Sequence, residues 1–563
     1  MADGRPRSRV RDAVAAFTSN VRNANLRRAQ LSFLGAWTAE WAFTVALGIV
    51  AYRDGGAVAV GLVGLLRMLP SAICAPLLSP IADRGRRERV LILVSIVRGV
   101  ATAGAAVVIA VAGPVAVVYA LAVVSTIAAT LFRPAHSALL PSLCRTGYEL
   151  ASANMVRGLL DSAATLVGPL LAAVLLQFTD VAVVFAVAAA ASLWAAALLA
   201  RLRYDAPPRP PAPARPALLR EAAEGIRAVA SNRGLAVIVG LAGAQAFTRG
   251  ALTVLSVVVA IELLGTGEPG VGALMTAVGV GAVFASLFAS LLVGTSRLGA
   301  WFAVGVALWG LPLALIGVFP QQAAALFLLA FIGVGNALID LAGFTLLGRL
   351  APDEVLARVF GVLESMVAVF IGIGAVAASA VIGWIGVQGA LVAIGLVCPV
   401  LAVAAWRRLR SLDTTVHALD ADLALLRRVP MFATLPLPSI EQLARGLETS
   451  EVPAGRAVFT QGDVGDRYYV IESGEAEVVG DGRVVTTLAP GEGFGEIALL
   501  RRTRRTATVV ARTPLRLRGL SSEHFLPVVL GYTASAREAS VAVDSELDRY
   551  SPKDPSGESA TPS

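Results

Sequence analysis

Twelve apolar stretches of roughly membrane-spanning length fill this chain up to residue 406, and no other feature constrains its fold as strongly. A helix that crosses hydrocarbon needs roughly 20 such residues, because inside a bilayer each backbone polar group must find its partner within the segment. The runs lie near 31–52, 57–80, 90–112, 115–140, 152–177 and 181–201, then near 235–262, 271–293, 300–319, 322–347, 360–383 and 388–406. Composition agrees: 56% of the residues are hydrophobic and 15% charged, where a soluble globular chain carries about 25% charged residues. The apolar density ends after 406, and the remainder reads as a soluble unit.

The charge is +8, which could point to nucleic acid, but its placement argues otherwise. Arginines cluster at the ends of the apolar runs, and lysine occurs once, at Lys553. A basic run such as Arg84–Arg89, caught between two spans, is a topology determinant, and no nucleic-acid polymer is expected as a partner. One set of connections holds Arg84–Arg89, Arg145, Arg201, Arg297, Arg349 and Arg407–Arg410; the other set is nearly free of positive charge. The positive-inside rule puts the first set in the cytosol, so both termini are cytoplasmic and the chain is a multi-pass protein of the inner (plasma) membrane. Cys74, Cys144 and Cys398 show no paired spacing, so neither disulfides nor a metal site is expected. His136 has no second ligand at a useful spacing and reads as a polar lining residue. No signal peptide is read in the basic stretch 1–30.

Between the sixth and seventh runs, 204–233 begins with a proline-rich linker, Ala206–Pro216, and continues into an amphipathic stretch. There Leu218, Leu219, Ala222, Ile226 and Val229 oppose Arg220, Glu221, Glu224 and Arg227, a pattern for lying along the inner membrane face. The layout is six spans over 31–203, a cytosolic loop, and six spans over 234–410. It resembles the two-half arrangement of major facilitator transporters. Leu139-Leu-Pro-Ser-Leu143 aligns with Leu346-Leu-Gly-Arg-Leu350 at an offset of 207, as two related halves require.

After the second run, Ser79-Pro-Ile-Ala-Asp83-Arg84-Gly85-Arg86-Arg87 resembles the major facilitator loop motif, with Ser79 in place of its first glycine and one residue fewer after Arg84. The resemblance implies that Asp83 pairs with neighbouring helix ends while Arg84 and Arg87 hold the loop inside. Arg133–Pro141, Gly168-Pro169 and Pro352–Gly361 resemble a bacterial efflux-type subgroup that includes enterobactin exporters. Charges inside spans are costly and mark a task or a partner. Glu40 is the first candidate for proton coupling, with Arg98 and Asp340 beside it; a structural ion pair of Glu40 with Arg98 or Arg67 is the alternative. Trp37 and Trp41 flank Glu40 as stacking or packing residues. The 207 offset maps Arg133 onto Asp340 and Arg157 onto Glu364, opposite charges on opposite halves. They are candidates for ion pairs that close the cytoplasmic gate when the cavity opens outward, against local pairing within each half.

From 415 to 550 the pattern changes to short helices (Asp422–Val429, Pro430–Phe432, Leu437–Leu443) and then short strands with glycine turns, among them the hairpin signal Asp481-Gly482. A small β jelly roll with flanking helices is expected. Phe494-Gly495-Glu496-Ile497-Ala498-Leu499-Leu500, followed by Arg505-Thr506-Ala507-Thr508-Val509, resembles the phosphate cassette of cyclic-nucleotide-binding domains. The chemistry fits. Gly495 admits close backbone approach, the helix beginning near Glu496 presents N–H groups, and Arg505 offers a fixed fork of donors to a cyclic phosphate. Glu496 can accept the ribose 2′-hydroxyl proton, and Ala498 leaves room. By the resemblance Thr506 bears on base choice, and cAMP is favoured over cGMP. Helices at Phe525–Leu530 and Ala534–Leu547 would form a lid, and 551–563 a disordered tail.

The combined expectation is an all-α membrane bundle of twelve spans fused to a cytosolic β domain. Its function would be a secondary transporter, exporting a small amphipathic compound and modulated by a cyclic nucleotide. The alternative is a membrane-tethered nucleotide sensor with a transporter-derived body. No nucleophile triad, cofactor motif or pore loop supports an enzyme or a channel.

Overall fold

A computed structural model of the chain describes residues 22–84, 86–144, 146–203, 218–292, 297–351, 353–433, 435–531, 535–541 and 543. The proline-rich linker, the loop glycine Gly85, and the two terminal segments fall outside these residues. The chain divides into two compact units, Met1–Asp413 and Thr414–Ser563.

In the first unit the apolar runs become helices: α1 (Ala24–Arg84), α2 (Arg87–Ala110), α3 (Val115–Ala129), α4 (Phe132–Leu143), α5 (Gly147–Phe178) and α6 (Val181–Ala200). After α7 (Leu218–Ser231) come α8 (Arg233–Val258), α9 (Gly267–Leu292), α10 (Leu298–Val318), α11 (Gln322–Leu350) and α12 (Asp353–Leu426). Ten helical stretches among the described residues are long and apolar enough to cross a membrane, where the sequence shows twelve runs. The difference has a local cause. The first two runs share α1 and the last two share α12, and in each the helical backbone is interrupted by glycine. Gly56 (φ 61°) and Gly386 (φ 73°) adopt left-handed geometry, which side chains disfavour. The run at 115–140 is split instead, between α3 and α4, because Pro134 has no N–H to offer the Thr130 carbonyl one turn back.

The internal repeat is structural. Helices α4 and α11 end at Leu143 and Leu350, 207 positions apart, and α5 and α12 begin just beyond them. The first half packs around buried Leu26, Phe33, Leu91, Phe132 and Leu139. His136 belongs to that core rather than to a polar lining. It is fully buried, its Nε2 lies 3.1 Å from the Ala29 carbonyl, and its ring packs against Phe33 and Phe132.

The second half is held by glycines in close helix contact. A Cβ on Gly281 of α9 would lie 1.7 Å from the Ala330 carbonyl of α11, and one on Gly333 of α11 would lie 2.0 Å from the Val278 carbonyl of α9. Gly250 and Gly374 make the same reciprocal approach between α8 and α12. Without water to drive helices together, such close van der Waals packing is what joins them in lipid.

The halves meet along α5 and α9, where the Ser162 and Ser286 hydroxyls are 2.7 Å apart. They meet again where Ser379 donates to the Ala57 carbonyl at 2.7 Å. At the end of the bundle that carries the Gly56 and Gly386 breaks, polar pairs clasp them: Tyr52 donates to Glu262 at 2.5 Å, and Arg53 holds Glu268 through Nε and Nη2, both at 2.6 Å. Glu262 lies in a π-helical turn, Val259–Leu263, that ends the seventh apolar run.

In the second unit α13 (Pro430–Ala433) and α14 (Leu437–Arg445) lead into eight strands. One antiparallel sheet has the order β1 (Glu448–Val452), β8 (Leu515–Ser521), β3 (Arg467–Ser473), β6 (Gly493–Phe494). The other has β2 (Ala457–Phe459), β7 (Thr508–Ala511), β4 (Ala476–Gly480), β5 (Arg483–Leu488). The β4–β5 hairpin turns at Asp481-Gly482, both with positive φ, as the pair requires. A short helix, α15 (Glu496–Arg501), separates β6 from β7, and α16 (Ser522–Gly531) follows β8. Phe432, Tyr468 and Phe525 form the aromatic heart of the helical side, with Tyr468 stacked on Phe525 at 4.8 Å. Of the second lid helix only 535–541 and 543 are described, and these are helical.

Candidate functional site

Between the β2–β7–β4–β5 sheet and α15 lies a pocket with about 580 Å³ of empty space counted out to its mouth. Of the cassette residues, Phe494, Gly495, Ile497, Ala498, Arg505 and Thr506 line it, while Glu496 does not. Gly495 caps α15 with φ 96°, and a Cβ there would sit 2.6 Å from Arg505 Nη1. The cassette glycine is therefore set by both conformation and space.

Arg505 is 4% exposed and is aimed by backbone. Its Nη1 donates to the Gly495 carbonyl at 2.9 Å and its Nη2 to the Arg467 carbonyl at 2.8 Å. The guanidinium lies over the Phe459 ring, 4.0 Å from its centroid, and Nε is buried with no acceptor. Burial pushes this group below its usual range, opposed by Tyr469, Asp466, Glu496 and Asp463 around it. Glu496 is buried at the first position of α15. A buried guanidinium at the wall of an open pocket is an anion receptor.

The membrane unit holds a second constellation. Arg133 Nη2 contacts both carboxylate oxygens of Asp161, at 2.7 and 2.8 Å, and its guanidinium lies 4.5 Å over Trp37. Asp340 accepts from Asn336 at 3.0 Å and lies within electrostatic reach of Arg133, Asp161, Arg249 and Glu364. Arg249 lies 5.9 Å over Trp41. These charges come from α4, α5, α8, α11 and α12, on both halves, and among them Arg133, Asp340 and Glu364 are exposed.

Glu40 joins two arginines, Arg67 at 3.1 Å and Arg98 at 2.5 Å. Arg67 also donates to Thr126 at 2.8 Å.

The profile of the Major Facilitator Superfamily matches residues 31–257 and 241–445. The chain belongs to the major facilitator superfamily. It is a multi-pass membrane protein of transporter type, and it carries a cyclic nucleotide-binding domain at 449–532. That domain is similar to the cAMP-dependent protein kinase regulatory subunit of Schizosaccharomyces pombe, 46% identical over 95 residues, 17% of this chain and 23% of that protein. The corresponding subunit of Yarrowia lipolytica is 43% identical over 102 residues, covering 18% of this chain and 27% of that one. Among solved structures, the regulatory domain of Toxoplasma gondii PKA with cAMP matches at 27% identity and a TM-score of 0.20, over 23% of this chain and 50% of that one. The chain thus spans about a quarter of the curated relatives it matches.

Within the facilitator unit the expected residues fare unevenly. Glu40 is in the ion pair given as its alternative, with both named arginines at once. Arg133 is paired locally with Asp161, not with Asp340. The charges acting on Arg157 are Arg133 and Asp161, both of its own half, and Glu364 is in no ion pair among the described residues. The loop-motif side chains of Asp83 and Arg84 fall outside the described residues, while Arg87 donates to the Ala138 carbonyl of α4. Asp161 and Arg249 were missed by sequence reasoning. Each stands inside an apolar run, so the rule that flags Glu40 flags them as well, but neither maps onto a charge at the 207 offset. Phe459 under Arg505 carried no sequence signal.

Proposed function

We propose that the chain is a secondary active transporter that exports a small amphipathic compound, and that cyclic nucleotide binding, with cAMP favoured over cGMP, modulates it. Arginine bias puts both termini in the cytosol, where cyclic nucleotides are found. The observation that carries the nucleotide reading is Arg505, a buried guanidinium with an unpartnered Nε beside the αL glycine of the cassette. Ligand would join it through a phosphate oxygen, with Glu496 taking the ribose 2′-hydroxyl. The preference for cAMP rests on the relatives named as cAMP-dependent kinase subunits, and Thr506 lies in the pocket wall where base choice would be made.

The transport reading is supported by the charged cluster of Arg133, Asp161, Arg249, Asp340 and Glu364, which we read as the lining of a substrate chamber. Its five ionisable residues lie inside hydrocarbon-length helices, and the clasped end of the bundle is the one opposite the arginine-rich loops. The described arrangement then opens inward. Arg133–Asp340 and Arg157–Glu364 serve as the gate that forms in the outward-open state. With Glu40 held by two guanidiniums, the coupling role falls to Asp340, whose hydrogen-bond partner is the neutral Asn336.

The test is equilibrium binding of labelled cAMP and cGMP to the purified full-length chain, beside Arg505→Ala. Saturable cAMP binding that exceeds cGMP binding and is lost in the variant is the expected result. If the wild-type chain binds neither nucleotide, the regulatory half of the proposal falls.

A further inference from the structure

The Glu40 cluster is out of charge balance. Two guanidiniums, Arg67 at 5% and Arg98 at 2% exposure, share one carboxylate, and the charged groups that act on Arg67 are Glu40 and Arg98 themselves. The cluster therefore carries one net positive charge in the interior of a membrane bundle. A buried charge of that kind is retained when something neutralises it.

Its donors are also in excess. Arg98 gives Nη2 to Glu40, while its Nε and Nη1 are buried with no acceptor. The hydroxyl of Ser95, buried three residues earlier on α2, has no partner either. Residues three apart share a helix face, so Ser95 and Arg98 stand on the same face of α2, one turn apart. Arg67 is engaged differently, with Nη2 on Glu40, Nε on Thr126 and its guanidinium against the face of Phe43.

We infer that Arg98 and Ser95 bind a small monovalent anion, of which chloride is the available example, as the missing counter-charge of the Glu40–Arg67–Arg98 cluster. Burial restricts the occupant to a small ion: these atoms expose almost nothing, so a bulky organic acid has no access. Glu40, whose side chain keeps 18% exposure, is the part of the cluster through which an ion would pass. This site is separate from the nucleotide pocket and from the Arg133–Asp340 chamber, and it holds whether or not the chain transports.

The experiment uses the full-length protein in detergent, with sodium chloride against sodium gluconate at matched ionic strength. The chloride-35 NMR linewidth is read first, then its displacement by bromide. Wild type should broaden the chloride line in a saturable, bromide-displaceable way, and thermal unfolding should shift upward over the same concentration range. Ser95→Ala, a mild change, should weaken displacement about tenfold, as expected for a hydroxyl lost from a charged partner. Arg98→Gln should remove it. If Arg98→Gln does not fold, Ser95→Ala decides. A wild-type protein with no displaceable chloride overturns the inference, and so does a signal that neither variant changes.

Discussion

Arg505 shows how far a single side chain can be positioned by its surroundings. Both terminal nitrogens are committed to backbone carbonyls and the plane rests on Phe459, so the fork is fixed before any ligand arrives. A charge-assisted hydrogen bond is worth about 1.5–3 kcal/mol, and Arg505→Ala also leaves two carbonyls without donors, so cAMP affinity should fall about 100-fold by calorimetry on the full-length chain. Phe459→Ala keeps the guanidinium and removes its support; about a 3- to 10-fold loss is expected in the same measurement. The Glu40 site differs, because there the charges answer one another. Glu40→Gln leaves two guanidiniums against a neutral amide, and a loss of about 3 kcal/mol, seen as an earlier thermal transition in gluconate buffer, should follow. The cassette was legible because phosphate chemistry confines it to one short run of sequence. Asp161 as the partner of Arg133, and Phe459 beneath Arg505, are brought in from distant segments, and no local spacing announces them.

At the scale of elements, hydrophobic run length located nearly every membrane helix, since desolvation of the backbone leaves the chain little other choice. What it could not give was the joins. Whether two runs make one helix or two depends on a few dihedral angles at Gly55, Gly56 and Gly386, and the break ahead of α4 depends on one absent N–H at Pro134. The glycine contacts of α9 and α11 are similarly hidden, because each glycine matters through a partner carbonyl some 50 residues away on another helix. Gly333→Leu would force these helices apart, since even a Cβ lies 2.0 Å from the Val278 carbonyl. The expected outcome is loss of the monodisperse peak in size-exclusion chromatography, with Gly348→Leu, which has open space at its Cβ, as the tolerated control.

For the whole molecule, the question is which contacts set the direction of opening. The clasp of Tyr52 with Glu262 and Arg53 with Glu268 joins the halves at one end. At the level of Arg133 and Asp340, symmetry-equivalent charges from opposite halves stay apart, Arg133 being held by Asp161 of its own half. Two such closures are alternatives if the halves rock as bodies. Weakening the clasp then transfers population to the state in which Arg133 meets Asp340, and a ligand-free balance shifts by the free energy the clasp contributes. Exposed bidentate pairs contribute about 1 kcal/mol, so Arg53→Ala together with Tyr52→Phe should change the ratio of states several-fold. Ser137 and Phe344, one turn beyond Arg133 and Asp340 and themselves related by the 207 offset, are exposed positions for spin labels. In a chain whose native cysteines Cys74, Cys144 and Cys398 are replaced by serine, Ser137→Cys and Phe344→Cys report the distance across the chamber by electron paramagnetic resonance. The clasp variant should add a shorter-distance population that Asp340→Asn removes. An unchanged distance distribution would mean that the chamber does not exchange its openings through these pairs, and the body would then be a fixed support for the nucleotide-binding domain.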